Sequence, residues 1–360
     1  MSARRDDPRQ PSLFPGWDQP SPVSPTHRNA RGAGRARGTD GEAAIMPAAV
    51  DDDVRRLAAG LPSLIRLGTS SWSFAGWRGL VYEAEHSESA LARSGLAAYA
   101  LHPLFRTVGV DRTYYAPVAA PVFAAYAASV ASDFQFLVKA HQDVTSPRVR
   151  RSRTPRTAPS GQAELNPRFL DSGYTADAVV APFVAGLGDR AGPLVFQFSL
   201  LSAGERGSAP AFIDRPHEFL RRLPRGPRYA VEVRNRELLT PQYRDALLDA
   251  GACHCCSIHP SMPPAADQAA FLAGAGFAEV IVRWMLHHRW DYEAAAAHYA
   301  PFDRRIDLDE RTHSALTLLA VEAVAAGTPV MVIVNNKAEG SAPLTVRELA
   351  HRIHEKLVKP

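Results

Sequence analysis

Eight short apolar runs, each separated from the next by a helix-like or loop segment, constrain this chain more than any other feature. The runs are Ile65–Ser70, Phe105–Val110, Phe134–Lys139, Pro193–Phe198, Tyr229–Arg234, Cys253–Ile258, Val280–Met285 and Val330–Asn335. Helical patterns lie between or after them, among them Ser87–Ala100, Pro117–Ala131, Thr175–Leu187, Pro241–Ala250, Glu310–Ala326 and Thr345–Lys356. Gly251 and Gly327 stand where two of these helices should stop. Strands that alternate with helices predict a parallel sheet, and eight is the number that closes a TIM-like (β/α)8 barrel. The rival is a doubly wound open sheet. No glycine-rich dinucleotide fingerprint follows the first strand, which argues against that rival.

A chain of 360 residues, 46% hydrophobic and 22% charged, suits one large α/β domain with tails. Residues 1–60 are rich in Pro, Arg, Gly and Asp with little apolar periodicity. They read as a disordered tail, with a short helix expected around Asp51–Ala59. Residues 61–360 form the expected barrel. It carries an Arg-rich insertion at about 144–170 that contains Arg148, Arg150, Arg151, Arg153 and Arg156. The formal charge of +4 is too small by itself to imply a nucleic acid. The insertion and the tail arginines (Arg28, Arg31, Arg35 and Arg37) nevertheless make a nucleic acid the alternative partner. All three cysteines fall between Cys253 and Cys256, so no disulfide framework is expected. With no apolar leader or membrane-length run, the expected location is the cytoplasm.

Chemistry in such a barrel belongs at the strand ends, and these are unusually polar. The first run leads to Ser70-Ser71-Trp72, the second to Asp111 and Thr113-Tyr114-Tyr115, and the third to Lys139-Ala140-His141. Later runs carry Gln197, then Glu232 with Arg234, then Arg283, and finally Asn335-Asn336. Glu232 and Arg234 are two apart on one strand and so share a face. A buried carboxylate can have its pKa raised and act as a base. A tight pair with Arg234 would instead keep it ionised and make the two a ligand clamp. Lys139 is a candidate for anion binding or for nucleophilic catalysis.

Metal and cofactor signals are weak. Cys253 and Cys255 face one side of a strand while His254 and Cys256 face the other, which is poor geometry for one tetrahedral ion. His287 and His288 would diverge on an extended chain. There is no GxSxG, P-loop or HExxH motif. Neither a metal nor a cofactor is expected.

Several motifs, in order, resemble one family. They are Gly68-Thr69-Ser70-Ser71-Trp72-Ser73 with Gly76-Trp77-Arg78-Gly79 and Tyr82, Thr113-Tyr114-Tyr115, Phe136 to Ala140, Phe196-Gln197, Val231-Glu232-Val233-Arg234, and Asn335-Asn336 with Gly340-Ser341-Ala342. Together they resemble the YecE-like family, domain of unknown function 72, from roughly residue 64 to the C-terminus. The resemblance implies a TIM-like barrel with a polar pocket at the carboxyl ends of its strands, and no established reaction. The chain departs from the family pattern at Gly109 and Asp111, at Thr145-Ser146, and at Trp284-Met285 after Arg283.

The expected ligand is a small phosphorylated or carboxylated molecule. Arg234, Arg283 and Lys139 would hold it, with Glu232 as base or orienter. Asn336 and Gln197 would donate hydrogen bonds, Trp72 and Tyr115 would form walls, and His141 would complete the ligand-binding set. The enzyme classes left open are a hydrolase and an isomerase. The remaining alternative is a non-catalytic scaffold.

Overall fold

The structure, a computed structural model, describes residues 44–149 and 164–359. The eight expected runs are its eight principal strands: β1 (Ile65–Thr69), β2 (Phe105–Val110), β3 (Gln135–Lys139), β4 (Ala191–Gln197), β5 (Tyr229–Glu232), β6 (Cys253–Ile258), β7 (Val280–Trp284) and β8 (Val330–Val334). Each pairs in parallel with its neighbours, and β8 returns to pair with β1. The rival open sheet is therefore excluded. Their side chains are buried almost throughout, because helices cover the outside while facing strands fill the lumen. That is why the runs read as continuous apolar stretches rather than as alternation.

Closure brings backbones close together. A Cβ on Gly68 would lie 1.9 Å from the Thr107 carbonyl oxygen, so only glycine permits β1 to approach β2 there. The pattern over Ser87–Ala100 forms two helices, Glu88–Ser94 and Leu96–Ala100, interrupted at Gly95. The helix expected around Asp51–Ala59 is Asp52–Gly60, and it packs against the last helix, Ala342–Val358. Its Val54, Leu57 and Ala58 are buried, and Arg106 donates to the Ala58 and Pro62 carbonyls. Residues 44–60, read from sequence as tail, thus lie against the barrel. No helix among the described residues is long and apolar enough to cross a membrane.

Two further parts bear on the site. After β3 the chain makes a two-residue antiparallel pairing, Arg148–Val149 with Glu164–Leu165, at the base of the Arg-rich insertion. Arg150, Arg151, Arg153 and Arg156 lie outside the described residues, as do Arg28, Arg31, Arg35 and Arg37. At the amino end of the barrel, Arg228 bonds Glu279 at 2.9 Å and Gln135 at 2.8 Å. Beside that end is a cavity of about 230 Å³ lined by Leu61, Ser63, Arg66, Arg106 and Asp133.

Candidate functional site

Strand register places the polar residues at one end of the lumen. Gln197 lies level with Glu232, and Arg283 lies level with both Ser257 and Ile333. From β7, the Arg283 guanidinium spans the barrel. One nitrogen donates to Glu232 Oε2 at 2.6 Å and to Gln197 Oε1 at 3.2 Å. The other forks onto Asp111, just past β2, at 2.8 and 2.7 Å. Glu232 Oε1 is taken by Arg234 at 2.7 Å and by the Ser257 hydroxyl at 3.0 Å. These five charged or amide groups are all buried. Buried charge is tolerated only where opposite charges are paired in this way.

Electrostatics decide what Glu232 can do. Burial alone would raise its pKa, but Arg283, Arg234 and Lys139 outweigh burial and hold the carboxyl well below the usual carboxylate range. It is an ionised strut between two arginines. Lys139 behaves in the opposite way. Its ammonium position lies 3.6 Å from the centre of the Tyr114 ring, and no carboxylate among the described residues pairs with it. Burial depresses its pKa to about 7, with Asp111 and Glu232 only partly opposing and Arg283 and Arg234 assisting.

Three donors in this region lack partners among the described residues: Arg234 Nη1, Arg283 Nε and Asn336 Nδ2. Asn336 is otherwise committed to the fold, since its Oδ1 accepts from Trp77 Nε1 at 3.2 Å and from the Ala342 N–H at 2.8 Å. Asn335 ties β8 to β1 by donating to Ser70 Oγ at 2.9 Å.

The other expected site residues divide. Lys139 and His141 line a narrow cleft with Thr113, Val118 and Phe123. His141 also accepts from the Asp143 N–H at 3.3 Å as the cap of a short helical turn. Trp72 lines a second cleft with Ser70, Ser71, Ser73 and Asp111. Its indole N–H, however, donates to the Leu91 carbonyl, and its ring meets Tyr126 edge-on, so much of it is packing. Tyr115 packs edge-on against Tyr114.

Sequence reasoning assigned no role to three residues that complete the constellation. Asp111 is the fork partner of Arg283, Ser257 holds Glu232, and Tyr114 covers Lys139. A strand-end acid facing a strand-end arginine was a readable signal for Asp111. Ser257 and Tyr114 offered none beyond their position.

The expectation that His287 and His288 diverge is corrected. A turn closed by the Trp290 N–H on the His287 carbonyl replaces the extended chain, and the two rings stack at 4.4 Å. With Asp309 they form a cluster whose donor atoms lie within 4.8 Å of one another. Asp309 is already bonded to the Thr312 N–H and hydroxyl, and His287 Nδ1 accepts from the Arg289 N–H. The three cysteines are buried and free, and burial pushes the Cys255 and Cys256 thiols up.

Fold and site together define a closed (β/α)8 barrel with an ionic network in the carboxyl end of its lumen. The chain belongs to the family described as protein of unknown function DUF72, whose model matches residues 66–360. Among solved structures it is similar to a DUF72 family protein from Thermotoga maritima MSB8, at 18% identity and a TM-score of 0.54, covering 81% of this chain and 99% of that one. It is also similar to a DUF72 family protein from Enterococcus faecalis V583, at 16% identity and a TM-score of 0.53, covering 82% and 96%. No curated protein matches the chain.

Proposed function

We propose that this barrel binds a small, singly charged anion, a carboxylate or a phosphate in its monoanionic form, at the carboxyl ends of its strands. One observation carries the reading. Three basic groups (Arg234, Arg283 and Lys139) face two acids (Asp111 and Glu232), and Arg234 keeps a buried donor without a partner. One anion beside Arg234 would satisfy that donor and stabilise the protonated form of Lys139.

In this reading Glu232 orients the two arginines, because a carboxylate held so firmly ionised is a weak base. Proton transfer falls to Lys139, whose amine changes protonation near neutrality. Abstraction of a proton next to a carboxylate or carbonyl is the reaction class these groups serve.

The test is a thermal-shift series on the full chain with acetate, glyoxylate, inorganic phosphate, nucleotides and short oligonucleotides, repeated on Arg234→Gln. A small anion that raises the melting temperature of the wild type but not of the variant supports the reading. A response to oligonucleotides alone, unchanged in Arg234→Gln, contradicts it and favours nucleic-acid binding.

A further inference from the structure

Lysine is almost absent from this chain, with four residues against 37 arginines. Lys356 and Lys359 are exposed near the C-terminus. The other two, Lys139 and Lys337, are only 2% and 4% exposed, and both sit at the carboxyl end of the barrel. Lys139 ends β3 and Lys337 follows β8. Each lies against a tyrosine ring, Tyr114 at 3.6 Å and Tyr292 at 4.2 Å.

This distribution says what the site needs. A cation required only to hold an anion is well served by arginine, which grips a carboxylate with two prongs. The chain uses arginine for that purpose at Arg234 and Arg283. An amine offers what a guanidinium cannot: it loses its proton near neutral pH, and its lone pair is then nucleophilic. Lys139 is placed for such use. It is buried, it has no carboxylate partner among the described residues, and Arg234 and Arg283 of the same network disfavour its charged form. Lys337 lies apart, near Glu88 and Phe302.

Building on the anion-binding reading, we propose that Lys139 is a covalent nucleophile that captures the carbonyl carbon of a small oxo acid whose carboxylate lies at Arg234. The Nζ lone pair adds to the carbonyl carbon, and the π pair moves to oxygen, which takes up the proton that nitrogen releases. The hydroxyl then leaves as water by taking one proton from solvent, equal to the one the ammonium gave up to expose its lone pair, and the C=N bond forms as the protonated imine. No oxidant or reductant is consumed. The protonated imine carries one positive charge, as the ammonium did, so its balance with Asp111 and Glu232 is kept. Once bonded in the imine the Lys139 nitrogen no longer serves as a base, so the covalent role replaces the proton transfer assigned to it above and rests on the anion site alone.

The test uses glyoxylate, the smallest oxo acid, with cyanoborohydride to reduce any imine, followed by peptide mass spectrometry of the full chain. The expected result is an adduct at Lys139 that forms faster than any at Lys356 or Lys359, with a pH midpoint below theirs. It is absent in Lys139→Arg and about tenfold slower in Arg234→Gln, the scale of one lost charge-assisted contact. Labelling confined to Lys356 and Lys359 overturns the proposal, as does labelling of Lys139 that rises only near the ordinary lysine range. A thermal shift with glyoxylate that depends on Arg234, with no adduct at Lys139, removes the covalent step and leaves anion binding standing. An adduct at Lys139 indifferent to Arg234→Gln removes the anion site and leaves the nucleophile.

Discussion

Replacing Glu232 with glutamine tests whether the central network is a structural ion cluster. The change keeps shape and volume while removing the charge that neutralises Arg283 at 2.6 Å and Arg234 at 2.7 Å. Asp111 would then be the sole acid beside three basic groups. Taking one partner from a buried pair costs about 3–5 kcal/mol, because the remaining charge stays buried. Relief of the burial penalty on the carboxylate places the expected loss near the low end, about 3 kcal/mol. The pH dependence follows from the depressed pKa. The carboxylate's contribution is complete above the ordinary value of 4.5 and fades as pH falls toward the lower folded-state value. Urea unfolding of wild type and Glu232→Gln, at pH 7 and at successively lower pH, should show a wide gap that closes below about pH 4.5. A loss under about 1 kcal/mol at pH 7, or a gap independent of acidification, would show that Glu232 is not the counter-charge of a buried ion cluster.

Two other substitutions probe separate parts of the account. Gly68→Ala should cost about 3 kcal/mol or prevent folding, since its Cβ would meet the Thr107 backbone oxygen at 1.9 Å; a melting temperature equal to wild type would show that β1 and β2 can part. Lys139 has a folded-state pKa near 7 against 10.5 when unfolded, so the unfolded chain binds more protons between those values. Wild-type stability should therefore gain as much as about 1.4 kcal/mol per pH unit from this residue over that window, and Lys139→Met should lack that rise in urea titrations at pH 7 and 9.

The barrel was legible because each of its strands is buried on both faces, so every run is short, apolar and rich in Val, Ile or Phe. Register was not legible. It is register, together with the reach of a long side chain across the lumen, that joins Arg283 to Asp111, 172 residues earlier. The Glu232–Arg234 pair could be read from spacing alone, because side chains two apart on a strand share a face. What spacing could not show was that Arg283 and Ser257 would claim the remaining capacity of Glu232 and turn a candidate base into a strut. The stacking of His287 on His288 was hidden for a related reason: a turn, not a strand, carries them. Composition shows that a chain preferring arginine keeps two of its four lysines, Lys139 and Lys337, buried at the carboxyl end of the barrel.

The anion site is open to calorimetric titration of wild type and Arg234→Gln with a monocarboxylate, its uncharged amide and inorganic phosphate. The account predicts saturable binding of at least one of the two anions to the wild type, none of the amide, and an affinity at least about tenfold weaker in the variant. Equal affinity for the amide, or anion binding that survives Arg234→Gln unchanged, would contradict an anion site built on Arg234.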